Sequence, residues 1–303
     1  MNTNFPRAVL FGVAASLLWA APALAQSFPE DDAWVPLHCA DDDVMTDRFR
    51  DESGATAERD LVGNLDHPAG ALAADDEFLY VRIRLERDPV PNGEPRPFAW
   101  GILLDTDETL TDYEVLIHAN GIGRTVSLYK NSSTTLSDDP TDPPDEPAVK
   151  SYPFADNARS VRARGSSFGD DDDFFLEVAI PWADLEPLGI GPATPVVAWA
   201  ATSSNSTTLN GDFACWDDAI GSPTLSETAA DRTVLDPWID SDGDGYTDRS
   251  EWSSGTDPKR TTDHPSGEPD ANVLAGGGGC QSVPVPSSIL ALLTCAFALW
   301  RRS

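Results

Sequence analysis

The chain has 303 residues, of which 51 are acidic and 20 basic, giving a formal net charge of −31. A protein this acidic repels phosphate backbones and anionic lipid headgroups, which excludes nucleic-acid binding and membrane contact through the folded region. Without the two terminal segments described below, about 250 residues remain, enough for one large or two modest domains.

The N-terminus has the pattern of a cleavable signal peptide. Arg7 is the only charged residue in the first 26, and an apolar run from Ala8 to Ala21 follows it. Pro22 and a small-x-small pattern then predict cleavage between Ala25 and Gln26, so that residues 1–25 are removed. The alternative is a membrane anchor, but this run spans only about 21 Å as a helix, against roughly 30 Å of hydrocarbon.

Cysteine usage predicts one disulfide bond. Only Cys39 and Cys215 fall in the region expected to fold, whereas Cys280 and Cys295 lie near the C-terminus. In an oxidising exterior two cysteines of one domain are expected to pair, and this bond would join the beginning of the domain to its end. The alternative is two free, buried thiols.

Residues 26–236 have the pattern of an all-β domain. Leu79 to Leu85 alternates apolar and polar residues, which predicts a half-buried strand. The acidic, Pro-rich stretch from Asp138 to Pro147 predicts an exposed loop between strands. We expect a two-sheet antiparallel β-sandwich. The further predicted strands are Trp100–Leu104, Tyr113–Ala119, Val126–Lys130, Ser160–Arg164, Phe174–Ile180 and Val196–Thr202.

One stretch resembles a known family. The segment from Phe174 to Leu185 is similar to the closing strand and turn of family 9 carbohydrate-binding-module-like sandwiches, and Leu79-Tyr80-Val81 ahead of Trp100–Asp105 resembles their central strands. The chain also resembles myxobacterial surface proteins that combine a sandwich, a calcium loop and a sorting tail. The resemblance implies a jelly-roll-like sandwich more strongly than sugar binding, and the sugar-stacking aromatics of the family match no positions here.

Residues 237–258 contain the most specific motif, a twelve-residue calcium loop that starts at Asp240 and is similar to thrombospondin type 3 and EF-hand loops. Alternating carboxylates, a glycine for the sharp turn and a closing glutamate supply the six to eight oxygens that Ca²⁺ prefers. The predicted ligands are Asp240, Asp242, Asp244, the backbone carbonyl of Tyr246, Asp248 and Glu251. The alternative is a solvated acidic loop.

Three other groups are weaker as sites. Asp105, Asp107 and Asp112 lie together at a strand end, where they could bind a second Ca²⁺. The alternative is a polar strand-end turn without a metal, which is the commoner arrangement. We expect the run from Asp170 to Asp173 to be a solvated hairpin turn. Gly165 to Gly169 matches the nucleophile-elbow string of hydrolases, but aspartates and a strand follow it where a helix is required, so no catalytic residue is assigned.

Histidine and tryptophan are expected mainly in structural roles. His118 lies opposite the apolar face of its strand, which predicts a hydrogen-bonded or exposed side chain. Three tryptophans in apolar segments are expected in the core: Trp100, Trp182 and Trp199. Four in polar contexts are the better exposed sugar-stacking candidates: Trp34, Trp216, Trp238 and Trp252.

The C-terminus has two predicted parts, a flexible tether at 259–275 and a sorting signal at 276–303. A glycine run ends at Cys280, and the apolar segment from Ile289 to Trp300 precedes a basic pair, Arg301 and Arg302. This pattern resembles the tripartite sorting signals of Gram-negative bacteria, with the subtype left open. The resemblance implies a sorting protease acting at Cys280 and membrane contact only through the tail. A plain anchor helix is the alternative.

These observations predict an exported, non-catalytic module with Ca²⁺ as its cofactor, displayed at the cell surface or outer envelope by a short calcium-loop stalk. The alternative function is recognition of an extracellular glycan by the sandwich. An exposed platform of aromatic side chains would favour the glycan.

Overall fold

The computed structural model describes most of the chain between residues 27 and 275. The described residues are 27–39, 44–52, 56–107, 109–169, 171–192, 194–217, 223–228, 233–234, 239–240, 242–247, 250–251, 254–256, 260–267, 269 and 274–275. The predicted signal cleavage site at Ala25 and Gln26 and the predicted sorting residue Cys280 lie outside them. Within these ranges, no helix has the length and apolar character that a membrane crossing requires.

Two antiparallel sheets pack face to face. The first sheet consists, in spatial order, of Val35–Pro36 (β1), Gly70–Ala74 (β2), Phe78–Leu85 (β3), Phe174–Pro181 (β9) and Ala158–Arg162 (β8). The second consists, in spatial order, of Thr233–Val234 (β11), Pro195–Ser203 (β10), Ala99–Asp105 (β4), Val115–Asn120 (β5), Thr125–Lys130 (β6) and Lys150–Pro153 (β7). The predicted all-β, two-sheet antiparallel sandwich is confirmed.

The connections contain a few short helical turns and one additional strand pair. Helix α1 (Phe154–Asn157) joins β7 to β8, and α2 (Trp182–Leu185) follows β9. Single 3-10 turns lie at Asp31–Ala33, Pro91–Gly93 and Glu186–Leu188. After the sandwich, Ile239–Asp240 (β12) pairs in parallel with Leu274–Ala275 (β13).

The core lies between the inner faces of the two sheets, where apolar residues recur at every second position. Across β3 and β9, Leu79 stands opposite Ile180 and Val81 opposite Val178, which fixes their register. Trp100 from β4 reaches into this core and is fully buried, while its ring N–H donates to the carbonyl of Glu58 at 2.9 Å. Trp182 and Trp199 are buried as well, so the expectation for all three tryptophans is confirmed.

The outer face of β3 is also covered, so the prediction of a half-buried strand is wrong. Tyr80 packs with Phe28 and Trp34 of the N-terminal segment. Arg82, only 5% exposed, bonds Glu177 on β9 and lies over the Trp34 ring at 4.1 Å. The polar half of the alternation therefore forms a buried ionic layer under the first residues of the domain.

The outer face of the second sheet is buried by the chain that follows β10. Leu209 and Phe213 pack on this face beside Trp199. The indole N–H of Trp199 donates to the carbonyl of Leu225 at 2.7 Å. The described part of the chain after β10 thus serves as a third layer.

This burial corrects the expectation for His118 on β5. The side chain is 1% exposed and contacts the Tyr129 ring edge-on at 6.0 Å. Neither ring nitrogen has a hydrogen-bond partner within the described part of the chain. The side chain is therefore neither exposed nor hydrogen-bonded, and burial lowers its pKa to about 4.

The Asp138–Pro147 segment is a loop between β6 and β7, as predicted, but it is only partly exposed. Asp142 is 3% exposed and accepts the backbone N–H groups of Thr135 at 3.2 Å and Leu136 at 2.9 Å. The hydroxyl of Tyr113 donates to the Asp142 carbonyl at 2.8 Å. Tyr113 itself precedes β5, which begins two residues after the predicted start.

The predicted disulfide is present. Cys39 and Cys215 are bonded with their Cα atoms 5.7 Å apart, across a sequence separation of 176. This distance lies inside the usual range for disulfides. The bond holds the start of the domain against the residues that leave β10.

Candidate metal centre

The predicted calcium loop begins where β12 ends, at Asp240. One carboxylate oxygen of Asp240 accepts the N–H of Gly243 at 2.6 Å, and the other accepts that of Gly245 at 2.8 Å. Both glycines have positive φ angles, +79° and +99°, a backbone conformation that disfavours side chains. Asp240, at 1% exposed, therefore organises the turn around its own carboxylate.

Three carboxylates converge inside this turn. One oxygen each of Asp240, Asp242 and Asp244 lies within 4.8 Å of the others. Asp242 accepts the N–H of Asp244 at 3.1 Å, and Asp244 accepts that of Tyr246 at 3.0 Å, each through Oδ1. In both residues Oδ2 is buried and accepts no hydrogen bond from the part of the chain that the structure describes. Three converging carboxylates, two of which keep a buried oxygen without a hydrogen bond from the described residues, match the oxygen set of a hard cation.

Electrostatics supports the same interpretation. Burial, followed by the charges of Asp244 and Asp240, raises the pKa of Asp242 to about 6 although neighbouring N–H donors favour its charged form. Carboxylates in this arrangement repel one another, and a divalent ion would remove the repulsion.

Three other predicted ligands differ in their placement. Glu251 is fully buried, and its N–H donates to the carbonyl of Thr247 at 3.0 Å, but its carboxylate is not among the three that converge. Tyr246 is buried, with its hydroxyl donating to the carbonyl of Gly267 at 2.8 Å. Asp248 lies outside the described residues.

The segment predicted as a tether contacts this loop. The ring of His264 stacks on Tyr246 with centroids 5.4 Å apart and planes within 6°. Leu274 and Ala275 pair with Ile239 and Asp240. Residues that follow the loop in the sequence thus hold Asp240 and Tyr246 in place.

The second candidate calcium site, at Asp105 and Asp107, was predicted to include Asp112 as its third carboxylate, but the structure places another residue there. Glu114 converges with these two, whereas Asp112 accepts the Thr134 hydroxyl at 2.8 Å. Asp105 accepts the N–H of Asp107 at 2.7 Å, and Glu114 accepts that of Thr106 at 2.7 Å. These bonds are those of a strand-end turn and assign no metal.

The acidic hairpin turn that precedes β9 was predicted to be solvated, but only part of it is. Asp173 is fully buried and accepts the N–H of Phe168 at 2.9 Å, while Asp171 and Asp172 pair with Arg87 and Arg162. Asp170 lies outside the described residues. The nucleophile-elbow string at 165–169 lies in the same hairpin and runs into β9, not into a helix.

A fourth acidic group, made of Asp47, Asp51, Glu52 and Asp212, was not predicted from the sequence. Its members are scattered along the chain without a ligand motif. The expected disulfide is the one sequence feature that could have indicated this group. A bond between Cys39 and Cys215 brings the acidic residues near each cysteine close together in space.

Comparison with known proteins adds no assignment: no family model, curated protein or solved structure matches this chain.

Proposed function

We propose that this protein is a non-catalytic module that binds Ca²⁺ through the loop at Asp240–Glu251 and is displayed at the bacterial cell envelope. The observation that carries the metal proposal is the convergence of Asp240, Asp242 and Asp244, of which one oxygen each lies within 4.8 Å of the others. Asp242 and Asp244 each also keep a buried Oδ2 that accepts no hydrogen bond from the described residues. All the ligand atoms are oxygens, which suits calcium and disfavours zinc or copper.

The aromatic side chains favour this function over glycan recognition. Trp34 and Trp216 are half-buried and pack against clusters of apolar residues. Among the described residues, no aromatic side chain is exposed, and the exposed large apolar residues are scattered aliphatic ones. Trp238 and Trp252 lie outside the described residues. A planar stacking platform is thus not offered by the described surface.

Calorimetry of the purified protein tests the metal. Because a single loop without paired helices belongs with weak extracellular sites, we expect a Kd of about 10⁻⁴ to 10⁻³ M. Asp242→Asn keeps the shape of the side chain but removes a charge, and should weaken binding about tenfold or more. Asp263→Asn is the matched control, since Asp263 is exposed and outside the loop. Equal affinity in the two variants would contradict the proposal.

Surface display is tested separately through Cys280, because that part of the proposal depends on the sequence of the tail. Cys280→Ala should leave the tail unprocessed and reduce the amount of protein on intact cells. Cys295→Ala, within the apolar segment, is the control and should be processed normally. An unchanged mature mass and unchanged display in the Cys280 variant would contradict the assignment.

A further inference from the structure

A second group of carboxylates lies inside the sandwich domain, away from the loop at Asp240. Asp47 and Asp212 are each 1% exposed, Asp51 is 8% exposed, and Glu52 is half-buried. One oxygen of each of the four lies within 4.8 Å of the others. We call these four residues the buried carboxylate cluster.

The backbone around the cluster is fixed by hydrogen bonds. Asp47 and Gly63 exchange backbone hydrogen bonds of 3.1 and 2.9 Å. The carbonyl of Asp212 accepts the N–H of Thr202 on β10 at 2.9 Å, and its Oδ2 accepts that of Leu61 at 2.5 Å. The first sheet's N-terminal connection and the chain leaving β10 thus converge at this point.

The side chains of the cluster lack the partners that buried charges need. Six carboxylate oxygens of the cluster are buried and accept no hydrogen bond from the described residues: both of Asp47, both of Asp51, Oδ1 of Asp212 and Oε2 of Glu52. Across the described ranges, none of the four forms an ion pair with a basic side chain. A buried carboxylate without a partner is strongly destabilising, so the fold requires something to neutralise the cluster.

The electrostatic environment agrees with this requirement. Burial raises the pKa of Asp47 well above its ordinary value, and the negative charges of Asp212 and Asp51 raise it further. Burial is also the largest cause that raises the pKa of Asp51 and of Glu52 to about 8 and that of Asp212 to about 7. Either protons or a cation must therefore occupy the cluster near neutral pH.

We propose that Asp47, Asp51, Glu52 and Asp212 bind a structural Ca²⁺ inside the sandwich, at a site separate from the loop at Asp240. A cation could contact all four carboxylates at once, because one oxygen of each lies within 4.8 Å of the others. Shared protons would join them only in pairs, Glu52 with Asp51 and Glu52 with Asp212. Four carboxylates without nitrogen or sulfur ligands suit a hard cation, and Ca²⁺ accepts the mixed, irregular geometry that Mg²⁺ does not.

The experiment isolates this site in the Asp242→Asn background, where the loop binds Ca²⁺ about tenfold or more weakly than in the wild type. After dialysis against EGTA and then millimolar Ca²⁺, the metal is counted by mass spectrometry of the native protein. We expect two ions in the wild type, one in Asp242→Asn and none when Asp47→Asn is added. Asp142→Asn, which alters a buried carboxylate outside the cluster, should keep two ions.

Thermal unfolding of the Asp242→Asn protein provides a second test, which does not depend on whether the Asp47 variant folds. In the Asp242→Asn background, Ca²⁺ should raise the Tm of the sandwich, because a ligand that binds only the folded state stabilises it. An Asp242→Asn protein that retains no ion and whose Tm does not respond to Ca²⁺ overturns the proposal, and the cluster then holds protons. If the loop proposal fails instead, the wild type retains one ion, and Asp47→Asn alone removes it.

Discussion

The backbone N–H of Cys215 donates a hydrogen bond to the carbonyl of Thr46 at 2.8 Å. Thr46 precedes Asp47, and Cys215 follows shortly after Asp212, so the disulfide and the buried carboxylate cluster share one region of backbone. The covalent bond therefore holds together the two chain segments whose negative charges repel each other.

Removing the disulfide should destabilise the domain strongly. For a sequence separation of 176, the chain-entropy model assigns the bond about 5 kcal/mol. We expect the Cys39→Ser/Cys215→Ser double variant to lose stability of this order in urea unfolding, and to bind less Ca²⁺ at the buried carboxylate cluster. Peptide mapping without reduction should show the two cysteines joined in the wild type. Equal unfolding midpoints for the wild type and the double variant would contradict this expectation.

The buried ion pair between Arg82 and Glu177 should be costly to break from one side. Glu177 also bonds Arg159 at 2.5 Å, so Glu177→Gln leaves Arg82 buried with its charge poorly compensated, at a cost of about 3–5 kcal/mol. Arg82→Met/Glu177→Leu replaces both partners by apolar groups and should cost less than the sum of the single changes. Chemical denaturation of the wild type, Arg82→Met, Glu177→Leu and the double variant measures the coupling, with Glu177→Gln measured beside them. Strict additivity of the two single changes in the double variant would show that the pair is not coupled.

The third layer over the second sheet depends on Trp199. Trp199→Phe keeps an aromatic ring but leaves the Leu225 carbonyl without its donor, which should cost about 1–3 kcal/mol. Trp199→Ala also opens a cavity beneath the connection and should cost about 3–5 kcal/mol. Proteolysis within residues 203–217 should accelerate in the alanine variant. Cleavage at the wild-type rate would show that the connection is held independently of Trp199.

Burial of His118 predicts a loss of stability in acid. Its pKa is about 4 in the folded protein and about 6.5 when unfolded, so only the unfolded chain takes up a proton between these values. The free energy of unfolding should therefore fall as the pH drops from about 6.5 to about 4, by at most about 3 kcal/mol from this residue. Unfolding curves of the wild type and His118→Leu across this range isolate the contribution. Parallel pH profiles would contradict it.

The sandwich could be predicted because its strands alternate strongly. Leu79, Val81 and Ile83 recur at every second position, and the same pattern in β5 and β9, with the short apolar run of β4, indicates strands. The Asp240 loop was recognisable because its predicted ligands lie in one short, ordered segment. Both signals are local in the sequence.

Burial of the outer faces could not be predicted in the same way. Arg82 and His118 look solvent-facing in their strands, because alternation reports only that two faces differ. Their burial depends on segments far away in the chain, the N-terminal residues around Trp34 and the connection containing Phe213. The buried carboxylate cluster was missed for the same reason, since Asp212 meets Asp47 only through tertiary contacts.

The parallel pairing of β12 with β13 has a mechanical consequence. Tension applied between the sandwich and the residues after Ala275 pulls Ile239 and Leu274 past each other along the strand direction, so the hydrogen bonds between them are loaded together, not one after another. The chain that connects these two strands stays off the line of force until the pair slips, whereas Asp240 itself lies in the loaded pair. A metal ion bound in the loop would therefore feel the pull only through Asp240. The connecting chain would lengthen the protein only after the hydrogen bonds of the pair have broken.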